Sequence, residues 1–325
     1  MVVELLNEES VIPYLRERGI IEGSASCEVL TGGVSNIVLA VTTATQELVL
    51  KQALAELKVA TLWKADQRRA IVEANALKLF HSITPQFVPE MVDMDPKRFT
   101  LVLSRVAQGG TVWKEDLLAG VIKPEIAAVL GEVLAKWHNY GVEHPSAREN
   151  FQEDLLFDQL RIDPFYRYVA AANPDLANII FSLINELTEN KTTLVHGDFS
   201  PKNIMVLGAH PFILDFEVTH TGNPVFDLAF LSAHLLCKFF RTENLKEREL
   251  LKECATSFIS NYGRVSSNLI SPLLSSHTAL IALARVEGKS PVNYLDERSR
   301  NQLVLRTKEA LRTGTTYDEL FRKIA

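Results

Sequence analysis

Two short β-favouring runs in the second half of the chain each lead into a polar segment that contains an aspartate. Residues 193–195 are followed by 196–203, which reads HGDFSPKN, and residues 212–214 are followed by Asp215. Two strand ends of this kind can converge so that their oxygen-bearing side chains approach one metal site. Carboxylate and amide oxygens are the hard ligands that Mg²⁺ prefers. The chain is therefore expected to adopt a fold in which these two strand ends meet at one polar site.

The composition indicates an ordinary soluble protein with a sizeable core. The chain has 325 residues, of which 47% are hydrophobic, and this size favours one large two-lobed unit or two domains. The net charge of −6 argues against a general nucleic-acid binder, whose surface is basic. The same acidic balance is compatible with a cationic substrate. We therefore expect no nucleic-acid partner.

Cysteine usage and the apolar runs predict a cytoplasmic protein. The cysteines Cys27, Cys237 and Cys254 lack metal-ligand spacing, which favours a reducing compartment. The N-terminal run MVVELLNEES carries early acids and does not have the basic start of a signal peptide. The most apolar run, 226–240, is interrupted by charged residues and is shorter than the roughly 20 residues that span a bilayer. We therefore expect no membrane association.

The first third of the chain has the pattern of a small β-rich unit. Two β-favouring runs flank a turn that contains Gly32 and Gly33, which predicts a hairpin. The predicted strands of this part lie at 27–30, 36–41, 47–51 and 99–103, and the predicted helices at 7–19 and 66–80.

Beyond the glycine-containing run 108–111 the pattern becomes mostly helical. The predicted helices of this part lie at 124–140, 151–160, 174–190, 225–239, 245–262, 272–286 and 296–312. These patterns together predict an α+β, two-lobed fold with a cleft between the lobes. A small β-rich N-terminal lobe would span residues 1–105, and a larger, mostly helical lobe would span residues 106–325.

Several polar residues have the types and positions that phosphoryl transfer requires. That reaction needs a metal to neutralise charge, a clamp on the phosphates and a group that orients the attacking hydroxyl. Asp198 follows a predicted strand, Asn203 offers an amide oxygen five residues later, and Asp215 follows the next strand. Lys51 ends the third strand and can reach phosphate oxygens, while Glu73 on the following helix can orient it by an ion pair.

The glycine turn is a second candidate phosphate contact. Residues without side chains let backbone amides approach phosphates, and neighbouring hydroxyl and amide groups can add hydrogen bonds. The predicted phosphate-binding residues of this turn are Gly32, Gly33, Ser35 and Asn36.

Each of these features alone has an ordinary structural explanation. A glycine pair is more often a simple turn, Lys51 could be a solvated charge at a sheet edge, and Glu73 could lie on a helix surface. His196 is more readily explained as a residue that stabilises its loop than as a base. The ordered combination is what favours phosphoryl transfer.

This ordered set resembles the aminoglycoside phosphotransferase and choline kinase-like superfamily, small-molecule kinases related to the protein kinases. The run 194–206 fits the His-Gly-Asp-x-x-x-x-Asn loop of that superfamily throughout. The run 213–217 fits its metal-binding aspartate segment, which ends in an acid where protein kinases have glycine. The run 222–229 fits a Gly-Asp-Pro-x-x-Asp-Leu-Ala stretch, with Asn223 in place of the first aspartate. The resemblance extends over residues 20–300.

The resemblance implies a protein-kinase-like fold that uses ATP and Mg²⁺. It implies that Asp198 is the catalytic base or the aspartate that orients the hydroxyl, and that Asn203 and Asp215 hold magnesium. It also implies that Lys51, paired with Glu73, contacts the nucleotide phosphates.

Three further roles follow from the same resemblance. The backbone at Ser104 and Val106 would read the adenine at the junction between the lobes. Asp227 would brace the catalytic loop, and Glu217 would be an outer contact of the metal or the substrate.

The acceptor is the least constrained part. Candidate pocket residues are Glu217, His220, His234, Arg285, Glu287 and Lys289. The polar run 284–291 could present Arg285 and Lys289 to an anionic acceptor, or it could end a helix at Gly288, and the helix end is the favoured interpretation.

The preferred hypothesis is an ATP- and Mg²⁺-dependent phosphotransferase acting on a hydroxyl of a small molecule, such as an amino alcohol, a sugar or an aminoglycoside-like compound. The alternative is a nucleotide-binding pseudokinase that acts as a scaffold or sensor. A protein acceptor is disfavoured because the loop lacks the arginine of a His-Arg-Asp motif and no Ala-Pro-Glu segment follows. A homodimer is compatible with the sequence.

Overall fold

The computed structural model describes residues 4–30, 35–56 and 66–322. The chain divides into two compact units, of which the first is β-rich and the second mostly helical. The first comprises Met1–Gly109 with Phe212–Val218, and the second comprises Gly110–Pro211 with Thr219–Ala325.

An antiparallel sheet forms the body of the first unit. Its strands are β1 (Ala25–Val29), β2 (Asn36–Thr43), β3 (Glu47–Ala53), β4 (Met91–Asp95) and β5 (Thr100–Ser104). They lie in the order β1-β2-β3-β5-β4. The predicted strands are confirmed, whereas the edge strand β4 was not predicted, because its acidic residues depart from the usual β-favouring composition.

Two helices accompany this sheet: α1 (Val11–Glu17) and α2 (Arg69–Ile83). Val11 and Leu15 of α1 pack into the core of the sheet against residues such as Leu50. Side chains alternate between the two faces of a strand, so Lys51 lies on the opposite face of β3 from Leu50. Because Leu50 faces the core, the side chain of Lys51 faces away from it.

The segment Phe212–Val218 belongs to the first unit although it follows two thirds of the chain. The amide of Ile213 donates a 2.8 Å hydrogen bond to the carbonyl of Phe87. The ring of Phe216, which is fully buried, lies 5.5 Å from that of Phe80 on α2. The predicted boundary between residues 105 and 106 assigned this segment to the C-terminal lobe. A single boundary cannot describe a chain that returns to its first unit.

The second unit is built mainly from helices. They are α3 (Trp113–Leu118), α4 (Pro124–Glu143), α5 (Pro145–Glu149), α6 (Leu155–Phe157), α7 (Tyr168–Ala172), α8 (Ala177–Glu189), α9 (Val225–Arg241), α10 (Leu245–Ser266), α11 (Leu274–Glu287), α12 (Glu297–Thr313) and α13 (Tyr317–Leu320). Helix α9 is buried almost throughout, and α10, α11 and α12 pack against it. The long predicted helices are therefore confirmed.

Short strands carry the polar loops of this unit. They are β6 (Thr111–Val112), β7 (Thr193–Val195), β8 (Ile204–Leu207) and β10 (His220–Gly222), and β9 (His210–Ile213) leads back to the first unit. β7 pairs with β10 and β8 with β6, both antiparallel. The strand predicted before the HGDFSPKN run is confirmed as β7.

The helix predicted at 151–160 is only partly present, because it begins at α6 and continues as a π-helix. The π-helix spans Asp158–Arg167 and follows the single turn of α6. Pro164 lies inside it and has no N–H to donate, which disfavours regular α-helical hydrogen bonding across this stretch. The wider turn changes the direction of the side chains around Arg161, which lies in the candidate site.

Helices α4 and α10 approach each other closely at Gly131. A Cβ atom at this position would overlap the backbone carbonyl oxygen of Phe258 and lie 3.0 Å from the backbone nitrogen of Tyr262. Because both neighbours are backbone atoms, a larger residue would force the two helices apart.

We therefore expect Gly131→Ala to lower the free energy of unfolding by about 1–3 kcal/mol, as overpacking does. Thermal and urea unfolding would measure the change. Gly263→Ala on α10 is the matched control, since its Cβ would meet only the flexible Cδ1 of Ile270, at 3.2 Å. That variant should be neutral or gain up to about 1 kcal/mol from helix propensity. Equal losses in both variants would contradict the close approach.

None of the described helices is long and apolar enough to cross a membrane.

Candidate active site

In the first unit, a largely buried lysine joins two carboxylates. The Nζ of Lys51 lies 2.6 Å from Oε1 of Glu73 on α2 and 3.0 Å from Oδ1 of Asp215. The Glu73 side chain is 2% exposed and that of Lys51 is 12% exposed. The predicted pair of Lys51 and Glu73 is thus present, and it includes Asp215 as a second carboxylate.

This arrangement holds the lysine in its charged form. Burial alone would lower the pKa of Lys51, but the carboxylates of Asp215 and Glu73 outweigh it and raise that pKa above its ordinary value. Burial raises the pKa of Glu73 above its ordinary value, against the opposing attraction of Lys51. A fixed ammonium group beside clustered carboxyls is suited to binding polyanionic groups such as phosphates.

A second buried ion pair lies beside the first. The Nε of Arg69 on α2 lies 3.1 Å from Oε2 of Glu217, and Nδ2 of Asn36 lies 3.4 Å from the same oxygen. The Nη2 of Arg69 donates to the carbonyls of Ser35 and Leu54 at 2.5 and 2.8 Å. Arg69 therefore connects Glu217 to the start of β2 and the end of β3.

Three carboxyls form a group that could hold a metal ion. One oxygen each from Glu73, Asp215 and Glu217 lies within 4.8 Å of the others. Burial, followed by the charge of Asp215, raises the pKa of Glu217 above its ordinary value. Hard oxygen donors packed this closely fit a divalent cation such as Mg²⁺, which would relieve their mutual repulsion.

The backbone of Asp215 is in the left-handed region, with φ of 70°. Among residues with a side chain, Asp and Asn adopt this conformation most readily, and it is uncommon for the others. The conformation turns the chain directly after β9, between the buried residues Ile213 and Phe216. The local fold therefore directs this carboxylate toward Lys51.

In the second unit, the predicted catalytic aspartate lies in the loop after β7. Asp198 is 4% exposed. Its carboxylate lies 3.0 Å from Nη2 of Arg161 and 2.9 Å from Nζ of Lys202. Asn203 donates from Nδ2 to the carboxylate at 2.8 Å and to the Asp198 carbonyl at 2.9 Å. Asp198 and Asn203 thus lie in one loop, as their spacing indicated, and a hydrogen bond that was not predicted joins them.

Asp227 at the start of α9 fixes the backbone of this loop. Its two carboxylate oxygens accept hydrogen bonds from the amides of His196 and Gly197 at 2.7 and 2.9 Å. Burial would raise the pKa of Asp227, but the hydrogen bond from His138 and the nearby histidines lower it. The expected bracing role of Asp227 is therefore confirmed.

His196 has a structural position in the loop. Its Nδ1 accepts the amide of Asp198 at 3.1 Å, and its ring stacks on Trp137 with centroids 6.5 Å apart. This agrees with its interpretation as a loop-stabilising residue. The Oδ1 of Asn223, which stands where the resemblance expects an aspartate, accepts the amide of Val225 at 3.0 Å.

The predicted adenine contacts, Ser104 and Val106, differ in whether their backbone groups already form hydrogen bonds. The amide of Ser104 is used within the first unit, where it donates to the carbonyl of Glu90 at 2.9 Å. In the described part of the chain, the backbone of Val106 has no hydrogen-bond partner. Of the predicted glycine-turn residues, Gly32 and Gly33 lie outside the described residues.

Several predicted acceptor residues have structural partners. His220 stacks on Phe157 with centroids 4.0 Å apart. Glu287 accepts hydrogen bonds from Asn173 and Lys308, both at 2.9 Å. These contacts give His220 and Glu287 structural roles.

The polar run 284–291 includes the end of α11. Gly288 ends α11, as the favoured interpretation expected, and its amide donates to the carbonyl of Ala284 at 2.9 Å. Lys289 pairs with Asp163 at 2.5 Å on the surface. Arg285 instead has a largely buried guanidinium, whose Nε has no hydrogen-bond partner among the described residues.

Sequence reasoning missed the cations that contact the key carboxylates. Arg161 lies 37 positions before Asp198, on a π-helix that no motif marks. For Arg69, the sequence indicated only that it lies in a segment with helical periodicity. Lys202 lies inside the HGDFSPKN run, so its spacing from Asp198 is the one local signal that could have identified it.

Comparisons with known proteins identify the family of the chain. The model of the phosphotransferase enzyme family (APH) matches residues 26–251. A methylthioribose kinase of Bacillus mycoides (strain KBAB4) is 24% identical over 298 residues, which cover 80% of this chain and 74% of that protein.

Two solved structures have a similar fold over most of their length. A choline/ethanolamine kinase family protein from Mesorhizobium loti has a TM-score of 0.55 at 19% identity, with 96% of each chain covered. The amicoumacin kinase hAmiN, in complex with AMP-PNP, Ca²⁺ and Ami, has a TM-score of 0.55 at 13% identity and covers 90% of this chain and 89% of its own. These likenesses confirm the predicted α+β, protein-kinase-like fold.

The family model covers well over half of the chain and includes both acidic segments of the candidate site. The protein therefore belongs to the phosphotransferase enzyme family and is a small-molecule kinase.

Proposed function

We propose that this kinase transfers the γ-phosphoryl group of ATP to a hydroxyl of a small molecule and depends on Mg²⁺. The observation that carries the proposal is the largely buried Lys51, whose Nζ lies 2.6 Å from Glu73 and 3.0 Å from Asp215. A lysine that is fixed and charged in this way is suited to bind nucleotide phosphates, because it needs no reorganisation when they arrive. The presence of AMP-PNP in the related amicoumacin kinase supports ATP as the donor.

The first unit would bind the nucleotide. Lys51 would contact phosphate oxygens, Ser35 and Asn36 would border the phosphates beside the glycine turn, and the backbone of Val106 would hydrogen-bond the adenine. Two observations support this last role. The backbone groups of Val106 have no hydrogen-bond partner among the described residues, whereas the amide of Ser104 already donates to Glu90.

Mg²⁺ would be held by Asp215 and Asn203, with Glu217 as an outer contact. The close grouping of Glu73, Asp215 and Glu217 supplies the negative charge that a divalent cation requires. When bound, the metal would neutralise charge on the phosphate oxygens. Asn203 donates from Nδ2 to Asp198, so its amide oxygen is directed away from that carboxylate and can serve as a ligand.

Asp198 would orient the acceptor hydroxyl and accept its proton. Its carboxylate is buried but positioned by Arg161, Lys202 and Asn203. A fixed carboxylate within hydrogen-bond reach of the hydroxyl would align it for attack. The cations beside Asp198 could also stabilise negative charge that develops on the transferred group.

Removing the metal tests the proposal directly. We expect ADP formation from ATP, in the presence of an accepted hydroxyl compound, to fall by at least about 10³-fold with EDTA, because several kcal/mol of charge stabilisation are lost. Excess Mg²⁺ should restore it. The panel would contain methylthioribose, choline, ethanolamine, aminoglycosides and sugar derivatives.

Thermal unfolding with ATP, with and without Mg²⁺, provides the control for nucleotide binding. Turnover that is unchanged in EDTA would contradict the metal role. Nucleotide binding without turnover of any compound would favour the scaffold alternative.

A further inference from the structure

A buried lysine without a carboxylate partner lies on α9. Lys238 is 2% exposed and lies one turn after His234 and two turns after Phe230, so these three residues share one face of the helix. Its Nζ donates only to the carbonyl of His234 at 3.3 Å, and it lies 5.3 Å from the centroid of the Tyr294 ring. Across residues 4–30, 35–56 and 66–322, no carboxylate pairs with it.

A second cation with unused hydrogen-bonding capacity lies on α11. The guanidinium of Arg285 lies 5.6 Å from the ring centroid of Phe165, and its Nη1 donates to Ser290 at 3.3 Å. The Nε of Arg285 and the hydroxyl of Tyr294 are both buried without a partner in the described part of the chain. Lys238, Arg285 and Tyr294 therefore form a group of buried donors, which we call the basic cluster.

The basic cluster is linked to Asp198 through two aromatic rings. The rings of Phe165 and Phe230 lie 5.6 Å apart, and the guanidinium of Arg161 lies 5.4 Å from the ring of Phe230. Arg161 in turn contacts Asp198 at 3.0 Å. Two guanidinium groups thus contact one phenylalanine pair, and one of them touches the proposed catalytic carboxylate.

Burial is the main cause of the pKa shifts within this region, and neighbouring cations act in the same direction. Burial, aided by Arg285 and Lys238, lowers the pKa of His234 well below its ordinary value. Burial lowers the pKa of Lys238 to about 7. Burial also lowers the pKa of Arg285, while the charge of Asp198 partly opposes this, so the two groups lie within electrostatic reach of each other.

A purely structural role does not account for the basic cluster. Buried charges in proteins are normally paired, because their desolvation is costly and contacts with aromatic rings recover only a part of it. Buried donors without partners are also rare. An oxyanion that reached these donors would accept their hydrogen bonds and would neutralise the positive charge of the basic cluster.

We propose that the acceptor carries an anionic group, a carboxylate or a phosphate, that binds to Lys238, Arg285 and Tyr294 while its hydroxyl meets Asp198. This inference rests on the proposed function, since it assigns the acceptor of the same site. It differs from the cationic acceptor that the acidic net charge of the chain allowed.

Matched acceptors of one carbon skeleton test the charge preference. The set would contain glycerol, glycerate and glycerol 3-phosphate, with ribose, ribonate and ribose 5-phosphate, and ADP formation would give kcat/KM for each. We expect at least one anionic member to exceed its neutral partner by about tenfold or more. Lys238→Met should lower kcat/KM for that compound by about 30-fold, mainly through KM, as loss of a buried charge partner does. Arg285→Gln should act in the same direction.

Lys136→Met is the matched control, because Lys136 is exposed on α4 in the same unit, and it should leave these values unchanged.

The Lys238→Met variant should fold with a melting temperature that is about 2–8 °C higher than that of the wild type, since a buried unpaired charge is removed. A preference for the neutral members of the set, or equal losses for all compounds in Lys238→Met, would overturn the proposal. So would a lower melting temperature of that variant.

A binding measurement distinguishes failure of the proposed function from failure of the proposed anion site. If no compound is turned over, calorimetric titration of glycerate and glycerol 3-phosphate into the nucleotide-free protein still tests the anion site. Binding to the wild type that Lys238→Met loses would support the basic cluster as an oxyanion site, whereas absence of binding to the wild type would reject it.

Discussion

Asp198→Asn is expected to lower kcat by about 10²- to 10⁴-fold, the range that a positioned proton acceptor contributes. The amide keeps the size and shape of the side chain but cannot take the proton of the acceptor hydroxyl. The hydrogen bonds from Arg161 and Asn203 at 3.0 and 2.8 Å would change in strength, so KM could shift modestly. The largest effect should be on the chemical step.

The measurement is single-turnover phosphoryl transfer together with nucleotide affinity. Asp163→Asn is the matched control, because that aspartate also pairs with a lysine, Lys289 at 2.5 Å, on the surface of the same unit. It should leave kcat within about twofold, since exposed ion pairs contribute little. An Asp198→Asn variant with normal kcat would remove Asp198 from the mechanism.

Asp215→Asn should reduce kcat/KM by at least about 10³-fold, because a charged metal ligand worth several kcal/mol is lost. Asparagine tolerates the left-handed backbone at this position, where φ is 70°. The substitution therefore removes the charge with little backbone strain. Lys51 would keep Glu73 as its partner at 2.6 Å, so the fold should remain stable.

Titration of activity with Mg²⁺ separates this effect from a general loss of function. The variant should need a higher Mg²⁺ concentration for half-maximal activity than the wild type. Asp93→Asn, which removes a carboxylate paired with Arg18 near the surface of the same unit, should leave both kcat/KM and the Mg²⁺ requirement unchanged. Normal activity of Asp215→Asn would contradict the metal assignment.

Local sequence patterns predicted the parts of the site that depend on short spacing. Asp198 and Asn203 share one loop, and their hydrogen bond of 2.8 Å joins residues only five positions apart. The pair of Lys51 and Glu73 was predicted from a strand followed by a helix, which brings neighbouring elements together. Such features follow from local structure, so one sequence is enough to identify them.

The missing parts depend on contacts between distant segments. Arg161 reaches Asp198 from a π-helix, and neither the helix type nor its direction follows from apolar periodicity. Arg69 occupies a polar position of its helix and yet is 1% exposed, because Glu217, 148 positions later, pairs with it. The strand β4 was missed because two of its five residues are aspartates, which disfavour strands. Burial of a charge depends on its partner, and the partner is known only once the fold is known.

The return of Phe212–Val218 to the first unit has a consequence for any attempt to divide this protein into working pieces. A fragment ending at residue 109 would contain Lys51 and Glu73 but no Asp215. In that fragment, Phe80 on α2 would no longer pack against the ring of Phe216. The complementary fragment would expose that ring to water. Neither piece is an independent module, so a gene fusion or split-protein reporter built on this chain would need its cut elsewhere.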